Sequence, residues 1–492
     1  MKKIKNKSIL SYCFFMILLL AGIGCKKTFD INHDPNNPSL EVGTPNLVFP
    51  VSVMAVASVE GGQLAILGGI LGEYLTQAAL SVQYQSFDRY DIKSTDAIGD
   101  FSYRTLYTYG LKNQQYVIDK SKESKDWNFY LMGTVMKAYT TSLLVDLYDQ
   151  IPYSEALQGS ANLTPKFDDG YSIYKSLLSD IDTALNENLS NINSVGNVDL
   201  LFGGDINKWK EFANTLELKM YLRMTNAKPE EAQAGIKALY ARNAKFLGED
   251  AKVTGFIDAA SHSNPMYEQN IRQLNTASNL VASTTYASFL KSNNDPRLVS
   301  FFGSASAGSL DQGDFLNPST TAHNAAVFKE SPKDPVVFIS AAESYFLQAE
   351  ARERYFNGNG AKDLYNQGVL AAFASVGQNG SPFIAPGGDY EYPSGTMEQN
   401  IKAIIMQKWA SFPYGDHFIE GWFEKNKTGF PKTSPVYSSD PSYVPGEFVV
   451  SKNSILPPGE LPKRLVFPDV ERSTNPNTPT EVPITTPVWW GL

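Results

Sequence analysis

Cysteine is almost absent. Cys13 and Cys25 are the only two in 492 residues, so disulfide frameworks, thiolate metal sites and two-cysteine redox motifs are excluded. Histidine is nearly as scarce: four residues, at 33, 262, 323 and 417, with no HExxH pair to hold zinc. No GxSxG, Walker or GxGxxG segment occurs, so serine-hydrolase, phosphate-loop and dinucleotide chemistry lose their usual signatures. Basic runs are also missing after the first residues. Without residues 1–24 the chain keeps 38 basic against 51 acidic side chains, a formal charge of −13. Nucleic acid is excluded as a partner on that balance, and neither a cofactor nor a metal is expected.

What is present begins at the N-terminus. Lys2, Lys3, Lys5 and Lys7 precede an apolar run from Ile9 to Leu20. That run is too short for the roughly 20 apolar residues of a membrane-spanning helix. A basic start, a short apolar stretch and small residues describe a secretory signal. It ends in Gly22-Ile23-Gly24-Cys25, which resembles the lipobox of bacterial lipoproteins, where cleavage before the cysteine is followed by its acylation. The expected layout is a signal over residues 1–24, a lipidated tether over 25–45 anchored at Cys25, and a ligand-binding domain over 46–492. The tether "DINHDPNNPSLEVGTP" is rich in turn residues. Its Asp30, Asn32, Asp34 and Glu41 fall on calcium-loop positions, but Pro35 stands where such a loop needs glycine.

The remainder is patterned for helices. In "SKDWNFYLMGTVMKAYTTSLLVDLYDQIPYSEAL", Leu131, Val135, Ala138, Tyr139 and Leu143 form one apolar stripe, ended by Pro152. A second stripe holds Tyr171, Tyr174, Leu178, Ile181 and Leu185, with Asp168 or Asp169 as cap. "FISAAESYFLQAEARERYFNGNGAKDLYNQGVLAAFASVG" reads as two helices broken at Asn357-Gly358-Asn359-Gly360. Small residues at crossings and large aromatics between units read like tetratricopeptide repeats. Strand-like alternation is brief, as in "GEFVVSK". The fold class expected is mainly α: a tetratricopeptide-like helical repeat scaffold with an irregular, loop-rich half and a few short β-hairpins.

Glu343 and Glu350 lie a heptad apart on one helix. Paired carboxylates are what a glycosidase uses, but one regular helix offers no cleft, and bonding inside the repeat stack is the favoured role. His417 and Glu420 have the spacing of di-iron helices without the further carboxylates these require. Two aromatic clusters remain. Tyr84, Phe87 and Tyr90 end a helical stretch, and Asn264, Tyr267 and Arg272 follow a proline turn. Rings mixed with amides and charges suit the apolar faces and polar rims of sugars or peptides. These six are the candidate ligand residues. Trp489-Trp490 is expected to latch the chain end.

Several stretches together resemble the SusD/RagB nutrient-binding outer-membrane lipoproteins, in their second SusD-like branch. They are "LVDLYDQIPYSEAL", "GGDINKWKEFANTLELKMYLRM", "NNDPRL", "AESYFLQAEA", "IIMQKWASF…EGWFEKNKTGFP" and "LPKRLVFPDVE…NPN", in order along the chain. Asp149 stands where the family often has glycine, Lys425-Asn426-Lys427 where it often has an arginine pair, and Lys26-Lys27-Thr28 where it has acidic export residues. The resemblance implies four tetratricopeptide-like units and an irregular half bearing the site. It implies a surface protein that captures glycan or peptide oligomers without cleaving them and passes them to a SusC-like TonB-dependent transporter. The alternative is a surface-anchored glycan hydrolase.

Overall fold

The computed structural model describes residues 43–189 and 195–492. Cys25, the signal and most of the tether lie outside the described residues. Pro45–Leu492 forms one compact unit.

Ten helices build its frame. The first, α1, spans Pro45–Leu71. By length and composition it could cross a membrane, yet most of it is buried inside the protein. Glycines explain how it fits there. A Cβ on Gly68 would lie 2.3 Å from the backbone nitrogen of Ile419, so α1 crosses a late helix at backbone contact. Gly68→Ala is expected to cost about 1–3 kcal/mol by overpacking, read as a lowered Tm. An unchanged Tm would mean that this crossing yields easily.

Helix α2 runs over 97–124 as Ala97–Thr105, Leu106–Leu111 and Lys112–Ser124. It pairs with α3, Trp127–Tyr148. Next come α4 (Gly170–Leu185) and α5 (Ile206–Arg223), which pack together, then α6 (Pro229–Ala241) against α5. The second half pairs α7 (Ala341–Tyr355) with α8 (Ala361–Ala374), and α9 (Met397–Ser411) with α10 (Ile419–Thr428). The pairs α2–α3, α4–α5, α7–α8 and α9–α10 are the four repeat-like units.

Local chemistry sets the boundaries. Asp169, not Asp168, caps α4 by accepting from Ser172 N at 2.9 Å. Ser340 caps α7 through Glu343 N at 3.0 Å. The turn from α7 to α8 uses left-handed backbone at Asn357, Gly358 and Gly360. Gly368 of α8 sits under the ring of Phe346, where a Cβ would come within 2.6 Å.

The strands differ from expectation. Only Gln150–Pro152 with Phe167–Asp169 is local. Leu75–Gln77 pairs with Leu280–Ala282, and Ala251–Val253 with Val336–Ile339, joining segments far apart in sequence. They are ties between irregular segments rather than hairpins. "GEFVVSK" makes no strand, only an isolated bridge from Thr433 to Phe448, because no partner segment runs beside it long enough to form a ladder.

Candidate functional site: a double cleft flanked by two π turns

The longest polar feature of the scaffold is buried and structural. Arg223 on α5 reaches Glu420 at 2.6 Å, Glu424 at 3.0 Å and Asp146 at 3.3 Å. Lys219, one turn earlier, lies 3.0 Å from Glu343 and 2.8 Å from Glu420. Lys427 bridges Glu350 and Glu424 at 3.0 Å each. His417 places Nε2 3.0 Å from Glu343 and Nδ1 3.0 Å from Glu60. Glu343 and Glu350 therefore face cations inside the helix stack. His417 and Glu420 also belong to this ionic network. Among the described residues no group of three or more His, Cys, Asp or Glu side chains is arranged to hold a metal.

Burial works against each charge, and the partners decide the outcome. Burial alone would raise Glu343, but Lys219 and then His417 bring it down to about 2. Glu350 is likewise brought to about 2, chiefly by Lys427 and Arg354. Burial would lower His417, but Glu343 and then Glu60 raise it to about 9. The chain end joins the same network. Trp490 donates from Nε1 to Asp146 at 2.7 Å, beside the Tyr174 hydroxyl at 2.5 Å. Trp489 N donates to Asp149 at 2.6 Å. Asp149 has φ 74°, the backbone that favours glycine, and its carboxylate holds the latch in return.

Open space lies elsewhere, where α1 and α2 meet two irregular segments. An outer cleft of about 520 Å³ is lined by Gln63 and Ile66 of α1, Ile98 and Phe101 of α2, Tyr84 and Phe87, and Gln269 and Gln273. An adjoining cleft of about 410 Å³ shares Phe101, Gln269 and Gln273 and adds Met54, Phe256, Ile257 and His262. Two π turns flank the pair: Val59–Gln63 within α1, and Glu268–Arg272 after the short helix Pro265–Tyr267. Such turns are rare and concentrate at functional sites. Here they turn residues out of the helical register toward one space. Gly62 lets the Glu268–Arg272 turn approach the Val59–Gln63 turn, since a Cβ there would meet Gln269 Nε2 at 2.5 Å. Ser102 Oγ donates to Gln63 Oε1 at 3.2 Å and ties α2 to α1 at the same place.

The six expected ligand residues divide. Tyr84 and Phe87 line the outer cleft, and the 264–274 segment stands opposite them, so the two stretches meet. Tyr84 is nonetheless only 4% exposed. Its hydroxyl donates to Asn270 at 3.1 Å, and Asn270 donates to Glu330 at 2.6 Å. Tyr90 is buried away from both clefts, its hydroxyl accepting from Ser451 N at 3.2 Å. Asn264 is buried as a helix cap, accepting from Tyr267 N at 3.0 Å and donating to Asp416 at 2.6 Å. Tyr267, ending the short helix, and Arg272, on the π turn Glu268–Arg272, are half-buried, the guanidinium 5.3 Å from the ring centre and paired with Asp258 and Glu268. A spacing of three residues places rings on one face without saying whether that face turns inward.

The residues this reading missed are Phe101, Met54, Ile257, Gln269 and Gln273. Phe101 is 40% exposed, the only large apolar side chain that both clefts share. Nothing in "AIGDFSY" marks it. Gln269 and Gln273 are four apart in the sequence, which puts both on one side of a helical turn.

Repeated helix pairs with an open cleft beside them define a ligand-binding protein. The chain belongs to the SusD-like family: residues 68–445 match its second SusD-like group, described as starch-binding and associating with the outer membrane. Its fold is similar to a SusD homolog from Bacteroides uniformis (23% identity, TM-score 0.71, covering 91% of this chain and 99% of that one). It is also similar to a chitin-binding protein (22%, TM-score 0.72, 91% and 100%). A chitin-binding SusD homolog from Flavobacterium johnsoniae matches at 22% identity and TM-score 0.67, covering 92% and 96%. None of the curated proteins compared by sequence matches.

Proposed function

We propose that this chain is a surface-anchored lipoprotein that captures oligosaccharides in the double cleft and passes them to a TonB-dependent transporter. The observation that carries the reading is the convergence of two π turns on an open cleft with an exposed ring. Membership of an outer-membrane family whose description is starch-binding supports it. The work of such a site is binding alone. Phe101 offers a face for a sugar ring, and the side-chain amides around it offer donors and acceptors. Affinity from one ring and a few hydrogen bonds is modest, so several sugar units must bind together.

Phe101→Ala is expected to weaken oligosaccharide binding about tenfold, the equivalent of roughly 1–1.5 kcal/mol for one ring, with Tm unchanged. Tyr84→Ala is expected to lower Tm, because it empties a buried ring site and strands Asn270 and Glu330. Calorimetric titration and thermal unfolding of both variants decide it. If Tyr84→Ala loses binding in a fully stable protein while Phe101→Ala loses none, Tyr84 rather than Phe101 contacts the ligand.

Anchoring is tested separately. Mass spectrometry of protein from membranes should find an acylated Cys25 at the mature N-terminus, and Cys25→Ala should release the protein. An unmodified N-terminus elsewhere would refute the anchor. A hydrolase would need two carboxylates facing each other across bound sugar. Of those at the clefts, Asp96 accepts from Lys93 N at 2.7 Å and Glu268 pairs with Arg272 at 3.1 Å. Prolonged incubation with glycans is expected to yield no shorter products. Co-purification with a barrel transporter from native membranes tests the partner.

A further inference from the structure

We propose that the double cleft selects an uncharged oligosaccharide of N-acetylated amino sugars over a plain glucan, an inference that rests on the glycan-binding reading above. The carboxamides of Gln269 and Gln273 line both clefts. Among the described residues neither makes a hydrogen bond within the protein, while Gln63, also at the cleft, is already taken by Ser102. Gln269 is held over Gly62, where a Cβ would collide with its amide nitrogen. Two amides therefore stand at the junction of the clefts with their donors and acceptors free, Gln269 packed on Gly62 and Gln273 exposed.

An acetamido group is the complement of such an amide. It carries one N–H, one carbonyl and a methyl on a rigid plane, so a carboxamide can serve both polar atoms at once. The methyl needs carbon around it, and the walls beside these amides supply Met54, Phe101, Phe256 and Ile257. A plain glucan presents hydroxyls in every direction. Against those carbon walls several would lose water without gaining a partner, which disfavours binding. Phe101 is the only aromatic side chain in either cleft that stands well out of the protein, so no arc of rings is present for a coiled glucan to wrap. Asp96 and Glu268 are the carboxylic side chains that line the clefts, and they disfavour sugars that bear carboxylates. Among N-acetylated chains this points to a neutral, chitin-type oligomer rather than the muramyl-containing strands of cell walls.

The test is calorimetry of the purified protein with chitohexaose, its fully deacetylated counterpart, cellohexaose, maltohexaose and muramyl-containing glycan fragments. Chitohexaose is expected to bind at least tenfold tighter than each of the others. Gln273→Ala should weaken chitohexaose about fivefold to tenfold and leave cellohexaose unchanged, with Tm retained. The double variant with Gln269→Ala should erase the preference. Because Gln269 packs on Gly62, the single Gln273 variant and the wild-type selectivity remain decisive if the double variant folds poorly. Equal affinity for the hexaoses, or a preference for maltohexaose, would overturn this inference and leave glycan binding standing. Tighter binding of the muramyl fragments would overturn the uncharged assignment. Binding of peptides but of no glycan would overturn both readings.

Discussion

Arg223→Ala should leave the protein unable to hold its helix stack together. The side chain is 1% exposed and contacts Asp146, Glu420 and Glu424, which come from α3 and α10. Removing it leaves buried carboxylates without their shared cation. Breaking such a pair from one side costs roughly 3–5 kcal/mol, a large part of the stability of an ordinary domain. Arg223→Lys keeps the charge but not the planar fork that serves three acceptors at once, so an intermediate loss is expected. Arg104→Ala is the control. Its guanidinium is 59% exposed and pairs with Asp100 one turn away, where such pairs contribute less than about 0.5 kcal/mol. Denaturant unfolding of the three variants tests the ranking. An Arg223→Ala protein within 1 kcal/mol of the wild type (by linear extrapolation) would show that the network has no such role.

The second large effect concerns pH. Burial raises Glu73, Glu217 and Glu330 to about 8 and Asp88 to about 7, despite their hydrogen bonds. In each the folded state holds its proton more tightly than the unfolded one. Their contribution is complete below about pH 4, where both states are protonated, and is lost as pH rises from there through 7 to 8. His417, raised to about 9, acts in the same sense, its contribution complete below about 6.5 and lost as pH rises through 9. Glu343 and Glu350, lowered to about 2, act oppositely. They stabilise above pH 4.5 and lose on the order of 3 kcal/mol each as pH falls toward 2. The expected stability profile peaks near pH 5 and falls on both sides, steeply below 4. Scanning calorimetry from pH 3 to 9 measures it, and a maximum at pH 8 or above would contradict these assignments.

Much of the scaffold was legible in the sequence. The stripe from Leu131 to Leu143, the cap at Asp169 and the Asn-Gly-Asn-Gly break before α8 rest on spacing and turn chemistry, which are local. The motifs that carry the family resemblance also have a physical meaning. Asp146, Lys219, Arg223, Glu343, Glu350, Lys408, Glu420, Glu424 and Lys427 all stand in them, and together they make the buried ionic network. Those segments record how helices are fastened to one another, and they contain none of the residues that line the clefts.

The sequence alone determined that the stripes at Leu131–Leu143 and Tyr171–Leu185 and the pair around the Asn357–Gly360 break become helices, because that follows from near neighbours and residue type, although the first stops at Tyr148, before Pro152. Tertiary structure alone decided which rings face outward. Tyr84 and Tyr90 look as available in sequence as Phe101, but hydrogen bonds to Asn270 and from Ser451, remote in the chain, take them into the interior. It also decided that Gln269 and Gln273 stand unpaired beside Phe101. That position depends on Gly62 of α1, remote in sequence, leaving room for Gln269, and on the π turn Glu268–Arg272 shifting the helical register.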